Sequence, residues 1–158
     1  TKWSDIKAYA NEVIPIIKAN NSNAIIIVGT PNWSQDVDVA AQDPITGYSN
    51  IMYAAHFYAT THKDEIRKKV TTAISKGAPI YISECSICDA SGNGTIDYDQ
   101  ADQWMTLIND NNLSYTCWNL SNKNESSSLI NSSCTKTSGW TDADYSETGK
   151  WFKEQMIK

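Results

Sequence analysis

Arginine is almost missing from this 158-residue chain. Thirteen basic residues include a single one, Arg67, against 18 acidic residues and a net charge of −5. That balance excludes nucleic acid and anionic membrane surfaces as natural partners, because clustered Arg and Lys carry phosphate contacts. No apolar run approaches the roughly 20 residues of a membrane span. Thr1-Lys2-Trp3-Ser4-Asp5 is not followed by the apolar stretch of a signal peptide. No glycine-rich phosphate loop follows any apolar run, which argues against a nucleotide fold. Phenylalanine is scarce as well, two residues against six Trp and eight Tyr. Aromatics with a polar edge suit a wet surface for flat ligands better than a pure core. With 41% apolar residues the chain can still build a core, and its length fits one ordinary domain.

Four cysteines, Cys85, Cys88, Cys117 and Cys134, match no zinc spacing. Cys85-x-x-Cys88 runs into the turn 89–94 instead of a helix, which removes the setting of a redox motif. Buried thiols or one disulfide are expected, and no metal centre.

Apolar periodicity predicts a helix over 3–19 with Pro15 as a possible kink. The β-branched run 24–30 reads as a strand buried on both faces. After the loop 31–36 and a short helical stretch, strands are expected at 51–58, 79–84 and 113–119. Helices are expected at 63–76 and 98–110, and a closing helix over 143–157. Strands alternating with helices through short loops mean a parallel α/β sheet. In such folds ligands bind at the C-terminal strand ends, and there the sequence collects Trp33, His56, Tyr58, Glu84, Trp118 and Asn119.

Glu84 follows Ile80-Tyr81-Ile82-Ser83 at the mouth of a buried strand. A carboxylate there is costly unless it is paired or used; a structural ion pair is the plain alternative to a catalytic role. His56 and Tyr58, two apart on one strand, share a face, so a hydrogen-bonded cluster with Glu84 on the next strand is expected. Trp33 and Trp118, read as lying at neighbouring strand ends, would serve as stacking platforms for sugar rings or merely seal the end of the sheet. The loop 89–100 carries oxygen ligands at EF-hand positions 1, 3, 5 and 9 and glycine at position 6. Its twelfth residue, Gln100, lacks the bidentate carboxylate, and a plain loop-to-helix connection is favoured over a weak calcium site. Asn-x-Ser/Thr triplets such as Asn93-Gly94-Thr95 are read as composition.

In order and spacing, several segments resemble a known family: Ile25-Ile26-Ile27-Val28-Gly29-Thr30, Trp33-Ser34-Gln35-Asp36, His56-Phe57-Tyr58, Ile82-Ser83-Glu84 and Lys123-Asn124-Glu125-Ser126-Ser127. The chain is similar to the C-terminal half of a glycoside hydrolase family 5 endoglucanase, a retaining (β/α)8 barrel, over residues 1–158. The resemblance implies that Glu84 is the nucleophile, that Tyr58 hydrogen-bonds it, and that His56 holds substrate hydroxyls. It further implies that Trp118 lies under the sugar at the cleavage point, that Trp33 stacks on the leaving-group side, and that Lys123 and Glu125 bind sugars on the non-reducing side. Cys85-Ser86 stands where many relatives carry an aromatic and a glycine.

The family's acid/base glutamate lies in an Asn-Glu-Pro motif, and this sequence contains none. Asp36 and Glu125 follow the wrong strands to replace it. A full barrel needs about 250 residues, so four strand–helix units of eight are expected here. Such a unit needs a complementary N-terminal half-barrel, or a second copy, to cover its open edges. The implied substrate is a cellulose-type β-1,4-glucan, with no cofactor, and a polymeric substrate implies secretion. The rival readings are a non-catalytic carbohydrate-binding remnant and a self-associating half-barrel.

Overall fold

The computed structural model describes residues 1–156. In chain order the elements are α1 (Trp3–Asn20), β1 (Ile26–Val28), α2 (Pro31–Ser34), α3 (Val37–Gln42), β2 (Ile51–Tyr58), α4 (Asp64–Ser75), β3 (Ile80–Ser86), α5 (Tyr98–Asp110), β4 (Ser114–Cys117) and α6 (Glu147–Met156). The strands form one sheet in the order β1-β2-β3-β4, the order of the sequence itself. β1 and β2 are parallel, with Ile26 opposite Ile51, Ile27 opposite Met52 and Val28 opposite Tyr53. Helices fill every connection, as parallel neighbours require. These are four consecutive βα units, the number expected from the sequence.

Contacts divide the chain into two compact units. The first holds 1–56 and 64–83, the second 57–63 and the described residues from 84 onward. In the first, Ala10 and Ile14 of α1, Val37 and Ala40 of α3, and Ile66, Val70 and Ala73 of α4 are buried. α3 packs against α4. Trp3 fixes α1 to the segment after α3, its Nε1 donating to Asp43 O at 2.8 Å and its ring meeting Tyr53 edge-on at 5.8 Å. Pro15 sits within the unbroken span of α1.

β1 departs from expectation. The run 24–30 reads as buried on both faces, yet Ile25 is 66% and Ile27 is 42% exposed. β1 is an edge of this sheet, so one side of a strand built for a barrel interior faces water.

In the second unit, Phe57 stacks on Trp104 of α5 at 4.0 Å with the rings 4° from parallel. Met105, Ile108, Ile130 and Phe152 are buried in the same unit. α5 starts where Asp97 accepts a bond from Gln100 N at 3.1 Å, a carboxylate cap on the exposed first N–H groups. The closing helix begins at 147, not 143. Asp144 holds Thr141 N at 2.7 Å and Lys136 Nζ at 2.6 Å, and Ser146 Oγ accepts from Gly149 N at 3.0 Å. Those bonds make the preceding residues a turn and cap. Ile157, the last residue of the expected helix, lies outside the described residues. Gly149 has no room for a side chain, since a Cβ there would stand 2.0 Å from Leu129 O.

Candidate functional site

In the first unit the chain leaves β1 through a turn of unusual hand. Asn32, Trp33 and Ser34 have φ of 56°, 53° and 61°, the left-handed region that costs ordinary residues about 1–2 kcal/mol each. The turn is pinned from both sides: Ser34 N donates to Thr30 O at 3.0 Å, Gln35 N to Pro31 O at 3.2 Å, and Thr30 Oγ1 to Ala54 O at 3.1 Å. Its product is Trp33, 83% exposed. An indole held in water by a strained, fully bonded turn is displayed instead of packed. It lies on the rim of a groove of about 920 Å³ walled by Tyr9, Val13 and Ile17 of α1 and Ile27 of β1. On β2 and β3 of this unit, His56 Nε2 lies 2.8 Å from Ser83 Oγ.

The second unit contains the acidic pair. Tyr58 Oη donates to Glu84 Oε1 at 2.6 Å. Burial, and next the bond to Glu84, push the phenol far above its ordinary value of 10.0, so it remains a proton donor. Behind it, Tyr58 N donates to His62 Nδ1 at 2.9 Å, and His62 O accepts from Trp104 Nε1 at 2.7 Å. The accepting Nδ1 places the ring proton of a neutral imidazole on Nε2. Tyr58 is therefore held at its backbone by a histidine four residues on, next to a phenylalanine stacked on Trp104.

Ser83 and Glu84 are adjacent, and an ideal strand would aim them at opposite faces. Yet Ser83 meets His56 and Glu84 meets Tyr58, residues two apart that share a face. The ladder explains this. Tyr53 N donates to Pro79 O and Ala59 N to Ser86 O, so β3 advances seven residues while β2 advances six. One extra residue on β3 has the effect of a bulge, a device that re-aims a side chain beside functional sites.

Trp118, 45% exposed, directly follows β4, and its N–H donates to Cys85 O at 2.7 Å. Farther along, Lys123 Nζ pairs with Glu125 Oε2 at 2.6 Å. The ammonium, followed by smaller contributions that include Ser127, holds the Glu125 carboxyl below its usual range. Both line a polar recess of about 340 Å³ with Asn93, Ser126 and Asn131. A carboxylate so stabilised in its ionised form is a hydrogen-bond acceptor and a poor proton donor. Asp36, the other acid considered, pairs with Lys69 at 2.6 Å.

The loop 89–100 spends its oxygens on the protein. Asp89 accepts from Ser91 N and Thr61 Oγ1, Asn93 Oδ1 from Ser126 N, and Asp97 from Gln100 N and Lys63 Nζ. All four cysteines are free thiols and three of them are buried, the first of the two alternatives expected from the sequence. Cys88 is fully buried, and desolvation raises its thiol above the ordinary value, the opposite of a reactive thiolate.

Of the expected residues, Tyr58 and Glu84 are in contact, Lys123 and Glu125 form an ion pair, and Trp118 closes β4. His56 Nε2 meets Ser83, the residue before Glu84. Trp33 and Trp118 are not at neighbouring strand ends: they follow β1 and β4, the two opposite edges of the sheet. Sequence order does not say which strands are edges. Ser83 and His62 were not among the expected residues. The turn Thr60-Thr61-His62, closed by His62 N on Tyr58 O at 2.8 Å, was the available signal for the latter.

Comparison with known proteins adds three findings. The family model described as cellulase (glycosyl hydrolase family 5) matches residues 1–124. An endoglucanase of Clostridium saccharobutylicum is 46% identical over 99% of this chain and 35% of its own length, and endoglucanase A of Butyrivibrio fibrisolvens is 43% identical over 99% and 36%. Among solved structures, the catalytic domain of Thermobifida fusca endoglucanase Cel5A in complex with cellotetraose is 29% identical, with a TM-score of 0.92, covering 100% of this chain and 54% of that one. The chain thus spans about a third of the curated relatives it matches and about half of that solved domain.

Proposed function

Because the chain belongs to glycosyl hydrolase family 5, we propose that it is the C-terminal half, over residues 1–158, of a retaining endo-β-1,4-glucanase and carries the nucleophile without the acid/base glutamate. The observation that carries this reading is the Tyr58–Glu84 pair. A phenol whose pKa is raised, donating at 2.6 Å to one carboxylate oxygen, orients Glu84.

In the proposed reaction Glu84 attacks the anomeric carbon of a glucosyl unit and forms a glycosyl ester as the leaving oxygen departs. Water then cleaves the ester and restores the configuration. Tyr58 stabilises the carboxylate as its charge is lost and regained. His56, with Ser83, holds a hydroxyl of the same sugar; Trp118 offers a face for its C–H surface. Lys123 and Glu125 bind sugars toward the non-reducing end, and Trp33 stacks on the departing chain. No cofactor takes part. The proton for the leaving oxygen comes from a glutamate outside this sequence, since Asp36 and Glu125 are held by lysines.

The partner proposed is the complementary N-terminal half-barrel, with its strands continuing the sheet beyond β1 and β4. Exposed Ile25 just before β1, Ile27 on it, and Tyr9 and Ile16 on α1 support a covered surface there. The same apolar surface favours a second reading, self-association of two copies. The substrate class, an insoluble or viscous polymer, makes the whole enzyme a secreted one.

Assaying a soluble β-1,4-glucan with the chain alone and with the N-terminal half supplied tests the proposal. Hydrolysis only in the mixture, with a sedimentation coefficient of a one-to-one complex, is expected. Binding of glucan by the mixture without any hydrolysis would leave a carbohydrate-binding module instead of an enzyme.

A further inference from the structure

We propose that Cys85 and Cys117 form a disulfide under oxidising conditions, a redox modification site directly behind the strand ends that bear Glu84 and Trp118. The inference stands on the β3–β4 ladder and is independent of the catalytic reading.

The four thiols differ in what they face. Cys88 Sγ lies 3.5 Å from both Ser86 Oγ and Asp89 O, and Cys134 Sγ lies 3.6 Å from Asp144 Oδ1. Cys85 faces another thiol. Trp118 N donates to Cys85 O at 2.7 Å, and in a parallel ladder that donor comes from the residue after the one directly opposite. The residue opposite Cys85 is therefore Cys117. Cys85 Sγ lies 3.5 Å from O of Thr116, the residue before Cys117, and the nearby Cys117 thiol adds to the burial that raises the Cys85 thiol. Adjacent strands run about 4.8 Å apart, inside the roughly 4.4–6.8 Å between Cα atoms that a disulfide spans. The spacing of paired strands is thus compatible with the bond.

Accessibility sets the order of events. Cys85 is completely buried, and desolvation raises its thiol well above the ordinary value, whereas Cys117 is half-buried. The Cys117 thiolate attacks a small-molecule disulfide, forms the mixed disulfide and releases one thiolate. Cys85 then gives up its proton and attacks Cys117 Sγ, displacing the second thiolate. Two thiols of the reagent are formed for each protein disulfide, and the electrons balance. The product ties together the backbone of the residues preceding Trp118 and following Glu84.

Incubating the native chain with excess oxidised glutathione, followed by intact mass measurement and peptide mapping, tests this. The expected result is a reductant-reversible loss of two hydrogens, a linked pair of peptides containing Cys85 and Cys117, and Cys88 and Cys134 still open to alkylation after unfolding. The oxidised chain should also unfold at higher urea. Four alkylatable thiols after oxidation of the native chain, a lasting glutathione adduct on Cys117, or a Cys85–Cys88 linkage would overturn the proposal. Cys117→Ser, a substitution at a half-buried strand end, should keep the native Trp emission and lose no hydrogens; if it loses them, the pair is wrongly assigned.

Discussion

Tyr58 and Glu84 are joined by a 2.6 Å bond in which the phenol is the donor, and the surroundings of each explain why the proton stays where it is. Burial and the Glu84 carboxylate raise the phenol; the backbone of Tyr58 is anchored on His62. The extra residue in β3 brings Glu84 round to meet it. Three separate features of local structure thus converge on one oxygen of one carboxylate.

Alkaline titration reads this pair directly. The folded state keeps the Tyr58 proton after an unfolded chain has released it near pH 10, so the folded form binds more protons above that pH. Stability is fully present below the ordinary tyrosine value, declines as the pH climbs above it, and is gone beyond the raised folded value. Tyr58→Phe should flatten that decline in urea titrations between pH 9 and 11 (on the order of the ordinary ionisation range). In the reassembled enzyme it should lower kcat about tenfold to a hundredfold, the value of a hydrogen bond to a charged group. An unchanged alkaline slope would mean that burial and Glu84 together do not hold the phenol's proton.

His62 is expected to act on stability through Tyr58. His62→Ala leaves the Tyr58 N–H without its acceptor in a buried turn, which should cost about 1–3 kcal/mol in chemical denaturation. His62→Asn can return an oxygen near the position of Nδ1 and should recover part of the loss. Equal losses in both variants would contradict the role given to the 2.9 Å bond.

How much of this was legible beforehand varies with the physics. β2 and α5 were read to the residue, because eight apolar-rich residues and a 3.6-residue period leave little choice. Tyr58 and Glu84 were singled out from strand-end chemistry. The meeting of Ser83 and Glu84 on one face was not legible, since strict alternation sends neighbours to opposite sides and only the ladder reveals the extra residue. Nor did Asn32-Trp33-Ser34 announce three left-handed residues; bonds to Thr30 and Pro31 impose them. The exposure of Ile25 and Ile27 was hidden for a different reason: β-branched runs encode a buried strand, and sequence alone does not say that β1 is an edge of this sheet. Placing Trp33 beside Trp118 failed because sequence order says nothing of which strands are edges.

Gly149→Ala should be strongly destabilising. Alanine in a helix interior normally gains about 1 kcal/mol over glycine, but here the new Cβ would stand 2.0 Å from Leu129 O. A net loss of about 3 kcal/mol or more is expected in thermal or urea unfolding, the range of severe overpacking. A neutral or stabilising result would mean that α6 does not approach the 121–130 loop so closely.

Trp33 should separate binding from stability. With its indole 83% exposed, Trp33→Ala should change unfolding free energy by no more than about 0.5 kcal/mol. In the reassembled enzyme it should weaken binding of a soluble cello-oligosaccharide about tenfold, as loss of a stacking anchor does. Unchanged affinity, measured calorimetrically, would remove Trp33 from the cleft.

The identity of the nucleophile is tested most directly by trapping the glycosyl ester. The reassembled domain is incubated with a 2-deoxy-2-fluoro-cellobioside bearing a good leaving group, whose ester forms faster than it hydrolyses, and the labelled peptide is sequenced by mass spectrometry. One fluoroglycosyl unit on Glu84, absent in Glu84→Gln, is the predicted result. A label on any other carboxylate, or turnover without a label and with inverted configuration, would contradict it.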